Sequence, residues 1–331
     1  MGVEFKVSRT IIREDLEGVD ILFVNRSIGK PVGITAKEVL RNMKDEFGVS
    51  VIVDYDDHWD LGDDHILYNH YKENDLVKIM IEHLEIADAV TVTHERLEKE
   101  ARKYNNNVHV LPNAIPRYGQ FLFPKQHDDK TRLFWAGSVT HDNDLKLLRR
   151  PLQLIKRDNV KFIMGGFQHN HPVWKEMAKH FTGNSSFNTE VLEFMPVDKY
   201  YALYSKCDIS LIPLVENKFN IHKSNLKILE AANISAPVIV NRVHPYLDFP
   251  EELVNYVDMY NTWYKQINKL LRCPEEAQYQ GEKLKEYCQK VYNFNEINER
   301  RKQLFYETRK QKITGDIPAL SNESGMLRDE S

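Results

Sequence analysis

The chain has 331 residues, 42% of them apolar and 28% charged, with a formal net charge of −4. That length accommodates two domains, and the near-balanced charge provides no global positive field to draw the protein to nucleic acid or anionic lipid. No apolar run approaches the ~18 residues that cross a bilayer, and the start does not read as a secretion signal. Cys207, Cys273 and Cys288 form neither a disulfide framework nor a CxxC pair, so a reducing cytoplasm is the expected compartment.

From the amino terminus, Ile21–Val24 reads as a buried strand. Thr35 with Glu38 forms a capping box, Val39, Leu40, Met43 and Phe47 supply the apolar face behind it, and Gly48 is the stop. Val51–Val53 is the next strand, Leu76–Leu84 an apolar helix, and Ala89–Val92 a strand after which Thr93 can cap a further helix. Val108–Leu111 is a strand ended by Pro112 and Asn113. Strands alternating with helices predict parallel pairing in a doubly wound α/β sheet.

The stretch 114–130 is rich in Pro, Gly and charge and predicts a linker. The alternation then restarts. Leu133–Ala136 is a strand, Asp144–Ile155 a helix interrupted at Pro151, Lys161–Met164 a strand, and Trp174–Phe181 a helix. Val191–Phe194, a short helix over Tyr200–Ser205, and strands at Asp208–Pro213 and Pro237–Val240 follow. Helices are expected over Glu282–Val291 and Glu296–Arg309, and a mobile tail from about Gly315. The expected organisation is two Rossmann-like domains facing a cleft, at 1–115 and 131–290. A linker over 116–130 joins them, with a further helix at 291–312 and a tail at 313–331.

Asn217–Glu230 is the densest polar stretch, between two apolar strands. Asn217, Phe219 and Asn220 precede a predicted helix carrying Lys223, Ser224, Asn225 and Lys227, with Glu230 further along. Free N–H groups and the dipole of a helix start favour an anion, and a carboxylate beyond can accept from ribose hydroxyls. Lys223 and Lys227 at i and i+4 also describe a surface salt-bridge face with Glu230. The apolar remainder of the helix argues for burial, where unpartnered lysines are rare. A second loop, Gly137, Ser138, Thr140 and His141, follows the Leu133–Ala136 strand. Its glycine admits a close ligand and its hydroxyls can donate to phosphate, although an ordinary strand–helix turn has the same make-up.

Three segments in order, Ala87–Thr93 with Val110–Asn113, Trp135–His141, and Asp208–Pro237, resemble the retaining GT-B glycosyltransferases, a family with phage-type members. The resemblance covers about Asp20–Val240. It implies a nucleotide diphosphate sugar as donor, a UDP-sugar by preference, transfer to a hydroxyl with retained anomeric configuration, and no obligatory metal or other cofactor. Glu230 matches the glutamate that holds the ribose. His222 stands eight positions earlier, where the family often has a second glutamate, and the usual Arg/Lys pair after the glycine loop is absent. Lys223, His141 and Asp57 are then the expected catalytic groups. Gly137, Ser138, Thr140, Asn217, Phe219, Asn220, Ser224, Asn225, Lys227 and Glu230 form the donor site. The resemblance also implies that the C-terminal helix returns to the first domain.

The acidic run Asp54–His65 follows the Val51–Val53 strand at its carboxyl end, where open α/β sheets bind ligands. Asp54, Asp56, His58, Trp59 and Arg26 are the expected acceptor-side contacts, Trp59 by stacking on a sugar or base. The same run also reads as a solvated loop with Trp59 plugging the core. Asp54 and Asp56 spell the acidic pair of metal-dependent, single-domain transferases, and suit Mn²⁺ or Mg²⁺ in that alternative. A catalytically silent nucleotide-sugar-binding module is the remaining alternative, on account of His222. The acceptor is open between a glycan, a lipid-linked glycan and a hydroxylated DNA base, the last requiring Arg26, Lys30, Arg300, Arg301 and Lys302 to line the cleft. No integral membrane segment is expected.

Overall fold

The computed structural model describes residues 3–8, 11–117, 121, 123–126, 128–182, 188–258 and 262–314, with side chains as far as 309. The tail expected from Gly315 and positions 118–120, 122 and 127 of the expected linker lie outside the described residues. Two parallel sheets carry the fold. The first has four strands in the order β1 (Ile21–Asn25), β2 (Ser50–Tyr55), β3 (Ala89–Val92) and β4 (Val108–Val110). β2 and β3 are almost wholly buried, as expected for strands covered by helices on both faces. Around them lie α1 (Ala36–Phe47), α2 (Tyr68–Glu73), α3 (Leu76–Ile86) and α4 (Glu95–Ala101).

The capping box forms as the sequence dictates. Thr35 Oγ1 accepts from the Glu38 N–H at 3.1 Å, and Glu38 Oε2 accepts from the Thr35 N–H at 2.7 Å. Gly48 closes α1 in the left-handed region at φ 69°. Thr93 does not cap the next helix. His94 occupies that position, and its Nδ1 accepts from the Leu97 N–H at 3.3 Å.

The second sheet has six strands. In chain order they are β5 (Thr131–Ala136), β6 (Val160–Phe167), β7 (Thr189–Glu193), β8 (Ile209–Ile212), β9 (Val238–Asn241) and β10 (Asn255–Val257). Their spatial order is β10-β9-β8-β5-β6-β7. The helix expected over Asp144–Ile155 is two short ones, α5 (Asp142–Lys146) and α6 (Arg149–Gln153). The restart at Arg149 puts Pro151 in a first turn, where its missing N–H leaves no hydrogen bond unmade. α7 (Pro172–Thr182), α8 (Val197–Tyr200) and α9 (Leu226–Asn233) follow. Beyond β10 come α10 (Thr262–Arg272), α11 (Pro274–Val291) and α12 (Phe294–Thr314).

α12 crosses back to the first sheet. Leu304 and Phe305 pack with Ile52, Ala89 and Leu111, Phe23 meets Phe305 edge-on at 5.7 Å, and Arg300 donates to Val110 O at 2.7 Å. Among the described residues no helix is long and apolar enough to cross a membrane.

Candidate active site

The loops that follow β2, β5 and β8 come together between the two sheets. Lys218 Nζ reaches Asp60 at 2.5 Å, Asn217 Nδ2 reaches Asp64 at 3.4 Å, and Lys223 Nζ stands 3.7 Å from Asp57. The rings of His58 and His222 lie 4.6 Å apart, and His94 Nε2 is 3.0 Å from the His222 carbonyl. A cavity of 360 Å³ opens beside these contacts, lined from both lobes by residues including Asp64, His65, Thr140, Asp144, Glu176 and Asn217.

The loop after β5 is built around its glycine. A β-carbon on Gly137 would fall 2.7 Å from the Trp135 ring and 3.3 Å from that of His141, so no side chain fits. Gly166, with φ +100°, presses against the Gly137 carbonyl from β6. Ser138 and Thr140 pair hydroxyl to hydroxyl at 2.6 Å. His141 Nδ1 lies 2.7 Å from Asp144 Oδ2. Burial lowers the His141 pKa to about 4; Asp144 opposes the shift, and Lys227 and Lys223 add to it.

Lys223 is not on the helix. Residues Asn220–His222 form a 3₁₀ turn, Lys223 is extended (φ −71°, ψ 163°), and Asn225 is the cap of α9. The expected i, i+4 lysine face therefore does not exist. Lys223 instead lies over the Phe219 ring at 4.5 Å with its side chain 14% exposed. Lys227, inside α9, donates to the Ala136 carbonyl at 2.5 Å, which ties the helix to the glycine loop. Glu230 is 5% exposed; Tyr204 donates to its Oε2 at 2.6 Å and Tyr200 at 3.5 Å. Burial raises the Glu230 carboxyl, with Lys227 and both tyrosines opposing, and burial lowers the Lys227 ammonium, with Glu230 opposing.

Across the junction, Arg26 takes a left-handed conformation (φ 62°) and bridges two carboxylates, Asp56 at 2.9 Å and Asp57 at 2.8 Å. Burial would raise the Asp57 carboxyl, but Lys223, Arg26 and His141 outweigh it and hold the group below its ordinary value. Asp54 turns away: its Oδ1 accepts from Thr91 Oγ1 at 2.5 Å and its Oδ2 from Asn25 at 3.3 Å. Asp54 and Asp56 thus have separate partners, and among the described residues no three His, Cys, Asp or Glu side chains are placed as a metal site.

Several expected contacts are engaged within the protein. Trp59 is 3% exposed and packs edge-on against Tyr55 and Tyr104, so it fills the first lobe and presents no stacking face to a ligand. His58 stacks on Trp59 at 4.7 Å and meets His222, so it belongs to the junction. Asn220 donates to Asp144 and to Val215 O, and Asn225 donates to the Tyr292 hydroxyl at 2.7 Å. Ser224, between Lys223 and the α9 cap, is partly exposed. Of the basic residues weighed for DNA, Arg300 holds a backbone carbonyl, Arg301 holds Asn298, and Lys302 pairs with Glu299. Asp144, Tyr200 and Tyr204 were not singled out from sequence. Asp144 lies one helical turn from His141, a visible signal, whereas only the fold brings the tyrosines to Glu230.

Comparison with known proteins bears on this arrangement. Residues 130–272 match the family described as Glycosyl transferases group 1. No curated protein matches the chain in sequence. Sucrose-phosphate synthase from Thermosynechococcus elongatus shares 15% identity at a TM-score of 0.63, over 89% of this chain and 74% of that one. TarM shares 14% at 0.63, over 86% of this chain and 54% of its own, so the chain spans about half of that protein. HepE from Anabaena, in complex with UDP-glucose, shares 12% at 0.62, over 88% and 79%. At such identities the likeness is one of fold: two Rossmann-like lobes facing each other, the GT-B arrangement.

Proposed function

We propose that the protein is a glycosyltransferase of GT-B fold, a reading supported by the match of residues 130–272 to the group 1 glycosyl transferases, and that it moves a sugar from a nucleoside diphosphate sugar to a hydroxyl acceptor with retention of configuration. The observation that carries this is the convergence of Lys223, Lys227, His141 and Glu230 around the Gly137 loop at the lobe junction. The free N–H groups at the start of α9, with Lys223 and Lys227 beside them, suit a leaving diphosphate. Both tyrosines use Oε2 of Glu230, which leaves Oε1 for a ribose hydroxyl. UDP-glucose in the HepE relative supports a uridine donor.

On the acceptor side, Asp57 stays ionised between Arg26 and Lys223 and can receive a hydrogen bond from an attacking hydroxyl. Donor binding then exchanges Asp57 for a phosphate as the partner of Lys223. The cavity lining includes Asp64, Asp142, Asp144 and Glu176, with Lys146 already paired to Asp142. That lining favours an uncharged sugar hydroxyl, free or lipid-linked, over a hydroxylated base within a DNA polyanion.

The test is a panel of nucleoside diphosphate sugars with neutral sugar, lipid-linked and hydroxymethylated DNA acceptors, followed by nucleotide release and by NMR of the product anomer. An α-linked product from an α-linked donor is the expected result. The absence of donor binding and of turnover across the panel overturns the reading; donor binding without any transfer or hydrolysis favours a silent binding module.

A further inference from the structure

We infer that Asp144 is a positioning residue for sugar transfer: it fixes the orientation and tautomer of His141 and so leaves the Nε2 lone pair free for a substrate hydroxyl. The inference deepens the transferase reading and rests on it for its activity readout alone.

Asp144 lies in the first turn of α5 and is 3% exposed. Its Oδ1 accepts from the Val215 N–H at 2.7 Å and from Asn220 Nδ2 at 3.1 Å. Its Oδ2 faces His141 Nδ1 at 2.7 Å. One carboxylate thus ties the glycine loop, the start of the loop after β8 and the 3₁₀ turn that leads to Lys223. A carboxylate accepts and does not donate, so the proton on that short contact belongs to His141 Nδ1. Nε2 is then bare. It has no hydrogen-bond partner among the described residues, and the His141 side chain keeps 12% exposure. Asp57, Lys223 and Lys227 are the charged groups that act on the ring from the other elements. Burial, with the two lysines adding to it against Asp144, keeps the imidazole neutral, so Nε2 can accept a hydrogen bond from a substrate hydroxyl and cannot donate one.

The test pairs Asp144→Asn with His141→Ala. The asparagine oxygen still accepts from Val215 and Asn220, but its amide now donates to His141 Nδ1 and moves the proton to Nε2. Nitrogen-15 NMR of the histidine-labelled full chain is expected to show an Nδ1–H imidazole in the native protein and an Nε2–H imidazole in Asp144→Asn. Turnover is expected to fall at least about tenfold, by analogy with the loss of partners that orient metal-bound histidines, with the donor KM unchanged. In the His141→Ala background the same change is expected to have no further effect on turnover. An Nε2–H imidazole in the native protein overturns the inference, whether or not the variant folds. So does an equal loss in the His141→Ala background, which would assign Asp144 to scaffolding of Val215 and Asn220. A protein with the expected tautomer but no transfer to any acceptor would defeat the transferase reading and leave the tautomer standing.

Discussion

Lys223 Nζ stands 3.7 Å from Asp57 Oδ1, and this pair joins the two lobes at the point where both sides of the site end. Arg26 holds the other oxygen of Asp57 at 2.8 Å, so the carboxylate sits between two cations contributed by different lobes. Lys223→Ala is expected to slow transfer by about 10²–10³, the usual loss when a group neutralising developing charge is removed. Steady-state nucleotide release measures it; a native rate in the variant would remove Lys223 from the chemistry.

Glu230 gives a different signature. Its Oε2 is the acceptor for the buried Tyr204 hydroxyl. Glu230→Ala removes the proposed ribose contact and also orphans that hydroxyl. Donor affinity is expected to fall at least about tenfold, and stability by about 1–3 kcal/mol, the range for a buried polar group left unpaired. Calorimetric titration with UDP and denaturant melts read the two effects separately. Native donor affinity in a correctly folded variant would rule out the ribose assignment.

Trp59 is a core residue, and its variants should behave accordingly. Trp59→Ala is expected to destabilise the protein by about 3–5 kcal/mol, as for other large aromatic truncations in a packed core. Trp59→Phe retains most of the contact with Tyr55 and is expected to leave the acceptor KM unchanged. A selective rise in acceptor KM with native stability would restore Trp59 to the acceptor site.

Stability is expected to depend on pH through buried histidines. Burial holds His83 and His141 at about 4, and lowers His58, His94 and His222 as well. An unfolded histidine titrates near 6.5, so between that value and the folded one the unfolded chain binds more protons. Stability is therefore full above about pH 7 and is lost as pH falls from about 6.5 toward 4. Denaturation midpoints measured from pH 8 to 4.5 check this; a flat profile would contradict the buried, neutral assignment.

Gly166 combines a φ of +100° with close approach to the Gly137 carbonyl. Gly166→Ala strains the backbone and pushes on the glycine loop together. A loss of about 1–3 kcal/mol is expected, with reduced donor affinity, read by thermal melts with and without UDP. Unchanged stability would show that the loop yields freely.

The alternation of strands and helices was plain in the sequence because buried parallel strands leave continuous apolar runs, as in Val51–Val53 and Ala89–Val92. Thr35, Glu38 and Gly48 marked α1 through local chemistry alone. Where long-range packing decides, sequence reasoning lost its hold. Lys223 looked helical from its spacing to Lys227, but the 3₁₀ turn at Asn220–His222 is held by Asp144 and Asn217, which local periodicity does not register. For Trp59 the sequence leaves stacking on a ligand and plugging the core both open, and only the fold, which turns the indole inward, decides. The partners of Glu230 are Tyr200 and Tyr204, brought close only when the chain leaves β8 and returns in α9. Strand β10, with only three residues, carries too little pattern to be legible in the sequence.

The ribbon from Asn217 to Lys223 grips the first lobe through Asn217, Lys218, His222 and Lys223, and runs directly into the turn that opens α9. A swing of one half of the molecule away from the other therefore pulls on the backbone that presents the diphosphate end of the site. If the protein is the proposed transferase, unclasping the ribbon and discharging the used nucleotide would be one mechanical event. A reducible tether joining positions 60 and 218 is accordingly expected to stall repeated turnover until it is cleaved, while leaving the first catalytic cycle intact.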